Sequence, residues 1–146
     1  MINIEPMTLE HLDDVFEIER NSFSVPWTYE SLKDEITKNK MAHYFIAKNN
    51  NIIAGYAGMW HVVNEGHITN IAVAEERRNQ GIGTKLIEQL ITFANENKMI
   101  GLTLEVRFNN AAAQRLYLKQ GFKTAGLRKG YYADTKEDAL IMWKDL

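Results

Sequence analysis

Three stretches of this chain bring together groups whose types and spacing can do chemistry. The first runs Arg78-Asn79-Gln80-Gly81-Ile82-Gly83-Thr84, between an apolar run ending at Ile71-Ala72-Val73 and a segment carrying Ile82, Leu86, Ile87, Leu90, Ile91 and Ala94 at helical spacing. Glycine has no Cβ, so such a turn lets backbone N–H groups approach a phosphate, and the helix start adds unpaired donors and a partial positive charge. Arg77 and Arg78 add full charges. A dinucleotide fingerprint would need a third glycine where Leu86 stands, and the spelling of a P-loop is not met. Two glycines can also do no more than turn the chain and cap a helix.

The second stretch is Thr103-Leu104-Glu105-Val106-Arg107. Strand alternation puts Leu102, Leu104 and Val106 on one face and Thr103, Glu105 and Arg107 on the other. Glu105 is therefore free to pair with a neighbour such as Arg107, to face solvent, or to accept a proton. In the third, Tyr117 follows Asn110 by two helical turns, so the two share a face. Tyr117 either packs in a core beside Leu116 and Leu118 or offers a phenol as a weak acid. Trp27, Tyr131 and Tyr132 fall in segments that read as loops, where large aromatics are seldom needed for a core and suit contact with a ligand, although packing beneath those loops would also hold them. The four His residues have no HxxxH or HxH spacing and there is no Cys, so no metal site is expected.

These groups need a frame. A strand at Ile2 to Glu5 precedes a helical period from Thr8 to Phe23 that includes Leu9, Leu12, Val15, Phe16 and Glu19. Pro26 breaks the chain, Thr28 is placed to cap, and a second helix is expected over Tyr29 to Lys38. The texture then turns β, with runs from His43, from Ile52 to Val63 and from His67 to Val73 predicted as a three-strand meander. A helix over Gly81 to Asn97, a strand over Gly101 to Arg107, a helix over Asn109 to Gln120 capped by Gly121, and strands over Phe122 to Tyr131 and Glu137 to Trp143 complete the order. The class is α+β, a mixed pattern around one sheet.

At 146 residues without a linker, repeat or low-complexity stretch, one domain over 1–146 is expected. The 17 basic and 19 acidic residues are interspersed, so no basic face marks the chain for nucleic acid or anionic lipid. Apolar runs fall short of the ~18 residues that span a bilayer, and the first residues lack signal-peptide order, so a cytoplasmic protein is expected. Zero Cys removes any acyl-cysteine mechanism.

Taken in order, Ser22-Phe23-Ser24 to Pro26-Trp27-Thr28, His67-Ile68-Thr69-Asn70-Ile71-Ala72-Val73, Arg78 to Gly83, Leu104-Glu105-Val106-Arg107, Asn110 with Ala113, Leu116-Tyr117 and Gly121-Phe122, Tyr131-Tyr132 and Glu137-Asp138-Ala139 resemble the RimI family within the GNAT superfamily. The resemblance spans essentially the whole chain. The glycine turn points only to the superfamily, and the other motifs point to the narrower family. It implies a GNAT acyl-CoA N-acyltransferase fold, with a mostly antiparallel central sheet flanked by helices and two parallel strands, ending at Val73 and Arg107, that splay apart to admit the donor. It implies acetyl-CoA as co-substrate, bound by the backbone of Ile71, Ala72 and Val73, by Arg78, Asn79, Gln80, Gly81, Ile82, Gly83 and Thr84, and by Asn110 and Tyr117. Glu105 would be general base, directly or through water, and Tyr117 general acid to the departing thiolate. The implied acceptor is the N-terminal alanine of a ribosomal protein, the eighteenth of the small subunit, met by Trp27, Tyr131 and Tyr132. A monomer or weak dimer without nucleic-acid or membrane partner is expected. Phe108 and the Ala133-Asp134-Thr135-Lys136 turn depart from the family's commoner spelling near the acceptor side. A lysine or small-amine acceptor, or a silent acyl-CoA-binding module, are the competing readings.

Overall fold

Periodicity becomes structure close to where the sequence puts it. The computed structural model describes residues 1–146. The strands are β1 (Ile2–Pro6), β2 (Ala42–Asn49), β3 (Ile52–Val62), β4 (Glu65–Val73), β5 (Gly101–Arg107), β6 (Lys123–Arg128) and β7 (Ala139–Asp145). The helices are α1 (Leu12–Ser22), α2 (Tyr29–Thr37), α3 (Ile82–Glu96) and α4 (Ala111–Lys119), with short 3-10 turns at Leu9–His11 and Glu75–Arg77.

Local side chains set several of these ends. Thr28 Oγ1 accepts the Ser31 N–H at 3.1 Å and Asn110 Oδ1 accepts the Ala113 N–H at 3.1 Å, so each supplies the acceptor that a helix start lacks. Gly121 closes α4 at φ +93°, and the Phe122 N–H reaches back to the Tyr117 carbonyl. Several boundaries differ from the sequence reading, among them the close of β6 at Arg128 instead of Tyr131 and the start of β4 at Glu65 instead of His67. The first helix does not run unbroken from Thr8, because the Thr8 N–H donates to His11 Nδ1 at 3.0 Å and the opening turn winds as a 3-10 turn. The last strand begins at Ala139 rather than Glu137. The Glu137 carboxylate accepts from the Asn109 N–H at 2.8 Å and from Arg107 at 3.3 Å, which ties the preceding loop down instead of extending the ladder.

All seven strands join one sheet in the order β1-β2-β3-β4-β5-β7-β6. Every neighbouring pair is antiparallel except β4–β5, with β2, β3 and β4 forming the expected meander. One face packs a core of Ile82, Leu86, Ile87 and Leu90 from α3, Tyr117 from α4, and Met59, Ile68, Leu102 and Leu104 from the strands. The other face packs Leu12, Val15 and Ile18 of α1 and Leu32 of α2 on Tyr44, Ile46 and Tyr56.

The parallel pair is short. Its register holds only at Glu65↔Gly101, Gly66↔Leu102 and His67↔Thr103. Beyond His67 the strands part, and the reason lies in β4 itself: its register with β3 jumps from Met59↔Ile68 to Gly58↔Asn70, leaving Thr69 as an extra residue. Such a bulge bends its strand and adds twist. β4 swings off β5, and a V opens between the two.

Candidate active site

The V continues into a cleft of about 1080 Å³. One wall is the free edge of β4, Thr69 to Val73, and the other is the end of β5, Leu104 to Arg107. At the top, Arg78 Nε donates to the Val73 carbonyl at 3.0 Å, securing the end of β4 where the chain turns into α3. That turn needs left-handed backbone at Asn79 (φ +65°) and Gly81 (φ +78°). Gly81 has open space where a Cβ would stand. It offers no side-chain cap to α3, so the first-turn N–H groups of Ile82, Gly83 and Thr84 remain free to receive an anion. Gly83 leaves room for Leu116 of α4, whose Cδ2 would lie 3.4 Å from any added Cβ. Arg77, Arg78, Asn79, Gly81, Ile82, Gly83 and Thr84 all line the cleft, whereas Gln80 is exposed and absent from the lining.

Glu105 and Tyr117 line the same cavity, as do Asn110, Ala113 and Leu116. Glu105 is nearly enclosed. Its Oε2 lies 2.8 Å from His67 Nε2, and Arg128 Nε stands 3.8 Å from its Oε1. The His67 hydrogen bond holds the carboxyl below the ordinary carboxylate range, outweighing burial, which acts the other way. Glu105 is therefore an anion at neutral pH and His67 donates to it. Tyr117 is buried, and burial pushes its phenol well above the usual range, so it keeps its proton until a strong base forms beside it.

Arg107 does not pair with Glu105. It turns toward the loops, bonding Asp134 at 2.9 Å, Glu137 at 3.3 Å and Ser24 Oγ at 3.3 Å, with its guanidinium 4.0 Å from the Tyr132 ring centre. Ser24 Oγ also donates to Asp134. The loop after α1 is thereby tied to the loop after β6 across the mouth of the cleft. Trp27, Tyr131 and Tyr132 all line that mouth, the two tyrosine rings meeting edge to face at 5.1 Å. Burial pushes the Tyr132 phenol up to about 12. Asp134, in the turn that departs from the family's spelling, is part of the tie, while Phe108 is exposed and absent from the lining.

Sequence reasoning passed over Glu19. It stands in the apolar stripe of α1 and is 1% exposed. It accepts from the Trp27 N–H at 2.9 Å, from Asn70 Nδ2 at 3.2 Å and from the Tyr56 hydroxyl, and it reaches the cleft wall. Burial raises its pKa above the ordinary carboxylate range. A carboxylate at core spacing was the available signal. No cluster of three His, Asp or Glu side chains suited to a metal is present, and no helix is long and apolar enough to cross a membrane.

An anion cradle, a free strand edge, a carboxylate and a phenol all line one cleft, and a family profile described as acetyltransferase (GNAT) family matches residues 12–122. The chain belongs to the GNAT acetyltransferase family. It is 34% identical over 146 residues to the [ribosomal protein bS18]-alanine N-acetyltransferase of Escherichia coli, covering 97% of this chain and 96% of that one. It is 44% identical over 140 residues to a Bacillus subtilis protein provisionally named for the same activity, covering 96% and 93%. The crystal structure of the Escherichia coli ribosomal-protein-S18-alanine N-acetyltransferase superposes with a TM-score of 0.91 at 32% identity, covering 99% of this chain and 94% of that chain. As a GNAT enzyme the chain is an acetyl-CoA dependent N-acetyltransferase, and the cleft fits that co-substrate: the free edge of β4 leads to the cradle at the start of α3.

Proposed function

We propose that residues 1–146 act as one catalytic domain that acetylates the α-amine of an N-terminal alanine on a ribosomal protein, the S18 counterpart named for its relatives. The observation that carries this reading is the convergence of Glu105 and Tyr117 on the V between β4 and β5, below a mouth walled by Trp27, Tyr131 and Tyr132. Acetyl-CoA supplies a thioester carbonyl. Residues 71–73 would hold its pantetheine arm by strand-like pairing, with the turn at 78–84 and Asn110 holding its phosphates and adenosine side. Glu105 takes one proton from the acceptor ammonium, which frees the nitrogen lone pair for attack; as the N–C bond forms and the C–S bond breaks, Tyr117 gives its proton to sulfur and regains one from the nitrogen, and Glu105 passes its own to solvent. Protons and charge then balance without a covalent enzyme intermediate.

The tie of Ser24, Asp134 and Arg107 across the mouth favours a chain end entering lengthwise over a side chain presented from a long flank. A small, uncharged first residue suits the apolar wall formed by Phe23 and Val25. We infer a cytoplasmic enzyme, monomeric or weakly dimeric, acting on protein and not on nucleic acid, in keeping with its formal charge of −2. The test is acetyl transfer to three acceptors: a peptide with a free N-terminal alanine, a peptide with a blocked N-terminus and an internal lysine, and a small polyamine. Turnover on the first alone is expected. Preference for the blocked lysine peptide or the polyamine would overturn the acceptor assignment.

A further inference from the structure

His67 has no place in the mechanism above, yet it makes the only hydrogen bond received by the Glu105 carboxylate. It sits on the last rung shared by β4 and β5, opposite Thr103, where the strands begin to part. Its side chain is 37% exposed while that of Glu105 is 13% exposed, and it is absent from the cleft lining. The imidazole therefore backs the carboxylate from outside the cleft and meets solvent there. Its surroundings are specific. Trp60 of β3 lies directly across from it with its ring edge to face at 6.3 Å, and Trp60 Nε1 is held by the buried Glu35 of α2 at 2.6 Å. From β6, Arg128 faces the other oxygen of Glu105. Glu105, Arg128 and Glu35 are thus the charged groups around this pair.

We propose that His67 is a positioning residue that orients and gates Glu105: neutral, it fixes Oε2 through Nε2–H and leaves Oε1 to receive the acceptor's proton, and protonated, it silences that base. The step is a single protonation, imidazole plus one proton giving imidazolium. A second positive charge beside a carboxylate already faced by Arg128 stabilises its anion and removes its pull on an ammonium proton. This rests on Glu105 being the base.

The experiment has an activity-free arm and an activity arm. Histidine ring resonances are followed through a pH titration in the free enzyme, the His67 signal being assigned by its loss in His67→Gln. Its midpoint is expected to fall in Glu105→Gln, because the amide no longer stabilises the imidazolium; an unmoved midpoint overturns the coupling. Turnover is then profiled with the alanine peptide for wild type, His67→Gln and His67→Asn, neither of which titrates. The ratio of variant to wild-type turnover is expected to rise about tenfold between pH 8 and pH 5.5, with the KM for acetyl-CoA unmoved. Any titration of the amine itself is common to all three and cancels in the ratio. A flat ratio in both variants, with Glu105→Gln inactive, overturns the gate and leaves the base in place. An active Glu105→Gln overturns the base reading and the gate with it.

Discussion

At the scale of single residues, Glu105 and Tyr117 are to be told apart by their rescues. Glu105→Gln keeps size and polarity but loses basicity, and general-base catalysis is worth ~100 to 10,000-fold. Turnover should fall by that order with little change in acetyl-CoA affinity, and recover in part at high pH where free amine is abundant. Tyr117→Phe should lower turnover without that recovery, while an acyl donor with a more acidic thiol loses less. Equal pH responses of the two variants would sink the assignment. Glu19 gives a prediction about stability. Its folded-state pKa is raised, so between the ordinary carboxylate value and the raised one the native state binds more protons than the unfolded chain. Stability then falls as pH climbs through that window and levels off above it. In urea unfolding, wild type should lose ground against Glu19→Gln as pH rises above the ordinary carboxylate value of 4.5, and a constant difference would show that the carboxyl is as easily ionised folded as unfolded. Glu105 was legible as a candidate because strand alternation puts it opposite Leu104 and Val106. Its partner was not. His67 is 38 positions away and Asn70 is 51 from Glu19, and only the tertiary fold determines such pairs. Arg107 stood two positions from Glu105 and was the obvious neighbour by sequence, but the loop carboxylates Asp134 and Glu137 claim it.

At the scale of elements, the turn into α3 combines two requirements that can be separated. Gly81 adopts a left-handed conformation and faces open space. Asn tolerates that conformation among non-glycine residues, as Asp does, and differs from Asp chiefly in charge. Gly81→Asn is therefore the control for backbone strain. Gly81→Asp should abolish the thermal shift given by acetyl-CoA while Gly81→Asn keeps a measurable part of it; equal loss in both would attribute the effect to backbone geometry. The turn was readable only together with the rest of the chain, because a glycine pair between a strand and a helix can also do no more than turn the chain and cap. Helix starts at Thr28 and Asn110 were readable because each carries the side-chain acceptor the helix lacks. The start of the last strand was not, because Glu137 accepts from the Asn109 backbone instead of continuing a ladder. The bulge at Thr69 left no mark in the sequence either, being a mismatch between two strands and not a property of one.

At the scale of the whole molecule, we propose that transfer is direct within a ternary complex, the chain having no Cys to carry the acetyl group. Initial-rate lines should intersect when peptide and acetyl-CoA are varied together, whereas parallel lines or exchange of label into acetyl-CoA without acceptor would contradict this. Donor at a hundredfold excess over its Kd should also stabilise the native state by about 2.7 kcal/mol. The three-rung contact between β4 and β5 governs more than access to the cleft. The four strands before it are joined by consecutive antiparallel pairings, and the three after it form their own antiparallel group. The two groups are stitched only after the chain has passed through α3, and such non-local parallel pairing is slow to form. The one sheet is thus two antiparallel groups of strands meeting at a short suture, which is expected to close late in folding and to open early in fluctuation. Backbone amides of residues 65–67 and 101–103 should exchange with solvent deuterium faster than those in the middle of β3. A donor lying in the V sits beyond the suture, so its strongest protection is expected at the amides of residues 71–73 and 82–84, and not at those of the three shared rungs.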